Sequence, residues 1–144
     1  AILDGGPCTV GLESTIIDTT VDPPQLLRAG AITADDVAAL VSDLAQASGP
    51  SRASGMLESH YAPQCAVRLV DSADDAWALR AGTPGAEILE FSDDLAEAAR
   101  SLYSELRAAD TRGVKILIVV LPPATGLGHA LRDRLTKAAA PRPQ

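Results

Sequence analysis

A chain of 144 residues with a formal net charge of −7 has room for one ordinary domain, or for a small domain plus a piece of another. Its acidity argues against a broad nucleic-acid or membrane-binding surface, which needs clustered Lys and Arg, and leaves open a small anion site. The hydrophobic fraction of 47% is that of a globular chain but is heavy in alanine, and Phe91, Trp77, Tyr61 and Tyr103 are its aromatic residues. Cys8 and Cys65 lie far apart with no CxxC or Cys/His ligand pattern, so both are expected reduced, in a cytosolic protein. No apolar run approaches the ~20 residues of a membrane span, and no stretch reads as a signal peptide.

The opening Ala1-Ile2-Leu3-Asp4-Gly5-Gly6 has no initiator Met and reads as cut from something longer. Asp4 to Gly11 is turn chemistry. The β-branched run Thr15-Ile16-Ile17 favours a strand, Asp22-Pro23-Pro24 breaks it, and Gln25-Leu26-Leu27-Arg28 is a second strand ended by Ala29-Gly30. Two adjacent strands joined by a loop would return Arg28 beside Ser14 and Thr15. Hydroxyls donate hydrogen bonds and a guanidinium forks across two oxygens, so the trio would suit a phosphate; ordinary surface residues are the alternative. Thr33 is the expected N-cap of a helix whose Asp35 and Asp36 suit the positive end of its dipole. Val37, Leu40, Val41 and Leu44 follow at helical spacing and predict one buried stripe.

A Ser/Gly/Pro linker begins near residue 46 and leads into Ala53-Ser54-Gly55-Met56-Leu57-Glu58-Ser59-His60-Tyr61-Ala62-Pro63. A plain linker carries little to bind with. This one carries Met56, His60 and Tyr61, so it reads either as a linker pinned to a domain surface or as a lid that closes on a ligand.

After Pro63 the pattern becomes regular. Val67-Arg68-Leu69-Val70 is a strand, Ser72 caps a helix through Arg80, and Ala86-Glu87-Ile88-Leu89-Glu90-Phe91 is a second strand. Ser92-Asp93-Asp94 caps a long helix with Leu95, Ala99, Leu102 and Leu106 on one face, ending near Gly113. Lys115-Ile116-Leu117-Ile118-Val119-Val120-Leu121 is nearly all apolar, as the buried middle strand of a parallel sheet should be. A last helix follows Gly126-Leu127-Gly128. Strand–helix alternation of this kind predicts a small open α/β sheet with right-handed crossovers. Gly126-x-Gly128 is a fragment of a dinucleotide fingerprint without its third glycine and reads first as a tight strand-to-helix turn. His129 reads as a solvated helix-start residue, and Trp77, among alanines, as a core residue. No spacing of His, Cys, Asp and Glu reads as a metal site.

Four stretches in order resemble the two-domain form of L-threonylcarbamoyladenylate synthase: Asp4-Gly5-Gly6-Pro7-Cys8 with Gly11-Leu12-Glu13-Ser14-Thr15-Ile16-Ile17-Asp18; Leu26-Leu27-Arg28-Ala29-Gly30-Ala31-Ile32-Thr33; Ser54-Gly55-Met56; and His60-Tyr61-Ala62-Pro63. Asp133-Arg134-Leu135 with Ala138-Ala139 resembles that family's closing helix, so the likeness runs from residue 1 to about residue 139. The resemblance implies an α/β chain in three parts. Residues 1–45 would be the end of a YrdC-like catalytic domain, 46–64 an interdomain linker and lid, and 65–144 a small Rossmann-like domain with a three-stranded parallel sheet.

The implied activity is that of a nucleotidyltransferase. L-threonine, bicarbonate and ATP become threonylcarbamoyl-AMP and pyrophosphate, for the threonylcarbamoyladenosine modification of tRNA. ATP would serve as substrate, with Mg²⁺ carried on its phosphates, and the product would pass to the tRNA threonylcarbamoyl-transfer machinery. Carried over by position, Ser14, Thr15 and Arg28 would bind ATP or the adenylate, and Ser54, Gly55, Met56, His60 and Tyr61 would cover the substrate; no residue is assigned a proton-transfer role. The sequence departs from the family pattern at Ala29 and Ser54, often Pro there, and at Leu57-Glu58-Ser59, often more basic. The family's earlier Lys-x-Arg and Ser-x-Asn motifs, which bind threonine and nucleotide, are absent, so the fragment alone is expected to be inactive. Two rival readings are a standalone ligand-binding α/β regulatory module and an RNA-binding piece.

Overall fold

The two apolar segments on either side of Asp22-Pro23-Pro24 do pair. In the computed structural model, which describes residues 1–54 and 61–141, β1 (Ile16–Asp18) runs antiparallel to β2 (Gln25–Arg28). Leu26 and Leu27 of β2 are buried. Behind β2, Gly30 passes so close to the other strand's approach that an added Cβ would lie 2.3 Å from the Glu13 carbonyl oxygen and 2.5 Å from the Thr15 nitrogen. Only glycine allows that contact.

Helix α1 (Ala34–Ala38) starts with the capping box expected of Thr33: its hydroxyl accepts from the Asp36 N–H while the Asp36 carboxylate accepts from the Thr33 N–H. It ends after little more than one turn, and the predicted four-residue stripe is not realised. Val37 is buried, but Leu40 is 89% exposed. The chain leaves the helix at residue 39 to place β3 (Ala45–Gln46) parallel to β2, so Leu40 falls in a turn where helical periodicity no longer decides which way it faces. β3 itself lies in sequence read as linker. The first sheet therefore has the order β1-β2-β3.

The second sheet is parallel, in the order β4-β6-β5, built from β4 (Ala66–Val70), β5 (Glu87–Leu89) and β6 (Ile116–Val120). The most apolar strand takes the centre, as predicted, because it is covered on both faces. Side chains alternate across a strand: Leu117 and Val119 join the larger core, while Ile118 faces a smaller one with Ala76 and Ala86. The larger core is closed by α3 (Leu95–Thr111) through Ala98, Leu102 and Leu106 and by α4 (Leu127–Ala139) through Leu131, Leu135 and Ala138. Asp94 caps α3 by accepting from the N–H groups of Ala96 and Glu97.

Helix α2 (Ala73–Ala81), capped by Ser72, meets the smaller core with Ala76. This overturns the reading of Trp77 as a core residue: it is 59% exposed, with the Arg80 guanidinium 5.4 Å from its ring centre. Alanine at the contact lets the helix lie close to the sheet, and the next residue is carried about 100° round the axis toward solvent. Gly128 accounts for the Gly-x-Gly turn. An added Cβ there would sit 1.8 Å from the Pro123 carbonyl oxygen, so α4 needs glycine to follow the strand so closely.

The first segment also packs on the second unit directly. An added Cβ on Gly11 would lie 2.5 Å from both the Ala99 carbonyl oxygen and the Arg100 Cα of α3, and Leu12 packs against the larger core. No helix among the described residues is long and apolar enough to cross a membrane.

Candidate functional site

The antiparallel return of β2 carries Arg28 back to the segment that enters β1. Its Nε donates to the Ser14 carbonyl oxygen at 2.9 Å, one terminal nitrogen donates to the Ser14 hydroxyl at 3.1 Å, and the other donates to the Ser54 carbonyl oxygen at 3.1 Å. Ser14, Arg28 and the start of the central stretch thus meet at one corner. Ser14 is exposed there. Because its oxygen accepts from Arg28, its own proton is left to donate outward, and the guanidinium has five N–H groups for these three bonds. Thr15 is placed differently. Its hydroxyl donates to the Ile32 carbonyl oxygen at 2.5 Å, which ties the loop after β2 to the strand entry. Arg28 and Ala29 also border an open cleft of about 480 Å³ between β2 and α4, where Gln46, His129, Asp133 and Lys137 supply polar groups.

The chain approaching this corner is held at the other end of the β1–β2 pair, where Asp18 faces Gln25. Arg52 forms an ion pair with Asp18, and its other terminal nitrogen donates to Gln25 Oε1 at 2.5 Å. Burial would raise the Asp18 pKa, but hydrogen bonds from Thr20, which act most strongly, and the Arg52 charge hold it below the usual carboxylate value. Gly55, Met56 and His60, expected to cover a substrate, lie outside the described residues, as do Leu57, Glu58 and Ser59.

Tyr61, where the chain resumes, has a backbone φ of +65°, a left-handed conformation uncommon for a bulky side chain. Its ring lies 5.3 Å from that of Tyr103 and 5.5 Å from the Arg134 guanidinium, centre to centre, and its hydroxyl hydrogen-bonds Glu13. A few residues on, the Asp110 carboxylate accepts from the N–H of Gln64 at 2.7 Å and from that of Cys65 at 3.1 Å, which fixes the entry into β4.

Sequence reasoning missed the centre of this second cluster. Arg134 of α4 is 0% exposed. Its Nε donates to Glu13 Oε2 at 3.0 Å, one terminal nitrogen donates to the Ala29 carbonyl oxygen at 2.8 Å, and the other is paired with Asp133. The Tyr103 hydroxyl donates to the same Glu13 oxygen at 3.0 Å. Burial by itself would raise the Glu13 pKa; hydrogen bonds from Tyr61, from its own backbone N–H and from Arg134 outweigh it and bring the carboxyl down to about 2. Tyr61 and Tyr103 are both pushed up, chiefly by burial and then by the facing Glu13 carboxylate. Burial works against the Arg134 cation, yet the bond and charge of Glu13 raise its pKa further. The signal was present: Arg134 stands between Leu131 and Leu135 on the apolar face of its helix, where a charge is kept only if it is paired.

Among the described residues, no group of three His, Cys, Asp or Glu side chains could hold a metal ion. Chemically, the corner at Ser14 and Arg28 offers a hydroxyl proton and a cation to an anion, and the cluster behind it is an ionic and aromatic clamp.

Fold and site together define a chain in which a strand pair bearing the Ser14/Arg28 corner is locked onto a parallel three-stranded α/β unit. The family described as threonylcarbamoyl-AMP synthase, C-terminal domain, matches residues 31–140, and the chain belongs to that family. Threonylcarbamoyl-AMP synthases of Pyrococcus abyssi and Bacillus subtilis are each 29% identical to it over 98% of this chain and 49% of their own length. The chain therefore spans about half the length of the curated relatives it matches. The crystal structure of P. abyssi Sua5 complexed with L-threonine superposes with a TM-score of 0.83 at 26% identity, over 94% of this chain and 48% of that one. A variant of the same protein, with a histidine and the adjacent tyrosine both replaced by alanine, gives 0.79 at 28% identity.

Proposed function

We propose that this chain is the C-terminal part of an L-threonylcarbamoyladenylate synthase. The whole protein would condense L-threonine, bicarbonate and ATP into threonylcarbamoyl-AMP and pyrophosphate and feed tRNA modification in the cytoplasm. In this reading residues 1–45 complete a catalytic domain, 46–64 form the connecting lid and 65–144 are the accessory domain. The convergence of Arg28 on both Ser14 and Ser54 is the observation that carries it. It places a cation and a proton-donating hydroxyl at the mouth of the stretch expected to cover substrate.

The chemistry asks for little more from this part of the protein. When threonine carbamate attacks the α-phosphate, charge builds on the phosphate oxygens, and a fixed guanidinium and hydroxyl stabilise it without reorganising. Mg²⁺ would arrive on the triphosphate. Thr15, with its proton committed to Ile32, serves the site by holding the strand entry in place. His60-Tyr61, assigned here a substrate-covering role, is this chain's His-Tyr dipeptide, the same pair of residue types that was altered in the P. abyssi protein.

The test is pyrophosphate release from ATP, threonine and bicarbonate. The full-length protein should turn over, the 144-residue fragment should stay at background, and Arg28→Ala in the full-length protein should cost about 100-fold in kcat/KM. A full-length protein that releases no pyrophosphate ends this reading, as does robust turnover by the fragment.

A further inference from the structure

Two arginines make contacts with the same strand entry, the same β2 return and the two ends of the central stretch. Arg28 binds Ser14 in the strand entry and Ser54 at the start of the central stretch, and itself sits in the β2 return. Arg134 binds Glu13, one residue before Ser14, and the carbonyl of Ala29, one residue after Arg28; its guanidinium also faces the ring of Tyr61, where the central stretch resumes. Ser14 and Arg28, the two side chains of the proposed nucleotide corner, are therefore each a direct chain neighbour of a group held by Arg134. Yet Arg134 belongs to α4, more than a hundred residues away in sequence and fully buried.

We propose that Arg134 is a positioning residue for nucleotide binding, and that through it α3 and α4 set the geometry of the Ser14/Arg28 corner. The proposal rests on the function proposed above and adds a role for the unit built on β4–β6.

The physics favours geometry over bulk stability as the main effect. A guanidinium is planar and fixes its partners in direction as well as distance. Its bond to the Ala29 carbonyl orients the Ala29–Gly30 peptide, one residue past Arg28, and its bond to the Glu13 carboxylate anchors the side chain of the residue before Ser14. Tyr103, donating to the same Glu13 oxygen, limits rotation of that carboxylate. Loss of Arg134 would loosen the Glu13 carboxylate and let the Ala29–Gly30 peptide tilt, which shifts the adjoining Arg28, and a displacement of about 1 Å in a charged contact is enough to weaken it severalfold.

The experiment uses the full-length protein and separates KM from kcat. Arg134→Met keeps the bulk and removes the fork. It should raise KM for ATP about tenfold, leave KM for threonine within about twofold and leave kcat within about threefold. A purely structural role would lower the fraction of active molecules, so kcat would fall with both KM values unchanged, and that result overturns the proposal. A parallel rise in the threonine KM does the same. Tyr103→Phe guards against misfolding of the first variant, because it removes only the hydroxyl on Glu13; a rise of about twofold or more in the ATP KM is expected, and no rise counts against the proposal. Arg134→Lys, with charge but no fork, should fall between wild type and Arg134→Met. If the wild type binds ATP but releases no pyrophosphate, the proposed activity fails alone, and weaker ATP binding by Arg134→Met in a direct titration still supports the positioning role. A wild type that does not bind ATP overturns both.

Discussion

The two sheets of this molecule are stabilised by different forces. The unit around β4, β5 and β6 closes on a continuous apolar core from Cys65 to Ala138 in which α3 and α4 meet the sheet. The unit around β1, β2 and β3 buries Leu26, Leu27 and Val37 and is otherwise organised by directional polar contacts: Arg28 on Ser14, Arg52 on Asp18 and Gln25, and Arg134 on Glu13 and Ala29. Hydrophobic burial is non-directional and scales with area, whereas hydrogen bonds to a guanidinium fix angles. If the proposed function holds, the region presenting Ser14 and Arg28 gains from the second kind of force, and the unit it packs on gains from the first.

That contrast breaks if mutations in the two units act alike. The largest effect on stability is expected in the apolar unit, where Leu102→Ala removes a fully buried side chain from α3 and should cost about 3 kcal/mol in urea denaturation. In the polar unit, Gly30→Ala forces a Cβ to within 2.3 Å of the Glu13 carbonyl oxygen. It should cost about 2 kcal/mol and in addition weaken ATP binding by the full-length protein, which Leu102→Ala, at matched folded fraction, should not.

Acid sharpens the comparison further. Against burial, the hydrogen bonds and charge around Glu13 bring its carboxyl down to about 2 in the folded chain, from an ordinary value of 4.5, so its contribution is fully present above about pH 4.5 and is lost as pH falls toward 2. The Glu13→Gln variant should have a flatter stability profile across that window, measured by urea midpoints at successive pH values. The smallest effect is expected at Trp77. As an exposed residue, its replacement by alanine should change stability by no more than about 0.5 kcal/mol, and in the native protein its fluorescence should be readily quenched by acrylamide.

The sequence announced those parts in which local pattern and tertiary role agree. The all-apolar run at Ile116–Val120 marked a central strand, Thr33, Ser72 and Asp94 marked helix starts, and the β-branched and leucine pairs on either side of Pro23-Pro24 marked a hairpin-like return that brings Arg28 to Ser14. It was silent where tertiary contact overrides pattern. β3 is two residues long, too short for an alternation to register. Leu40 sits one turn beyond Asp36 at perfect helical spacing, but the helix ends before it. Trp77 has the composition of a core residue and lies one position off the face that α2 buries. Arg134 was hidden for the opposite reason. Its helix was legible, but the partner that makes its burial tolerable, Glu13, is 121 residues away, and no local window joins the two.

The pairing of Glu13 with Arg134 has a practical consequence for anyone recombining this polypeptide. A graft of the strand pair into a foreign scaffold would carry an acid without the cation that neutralises it here. Such a chimera would need either a replacement guanidinium beside residue 13 or a neutral side chain there, and a single crossover anywhere between residues 30 and 127 would draw the two partners from different parents.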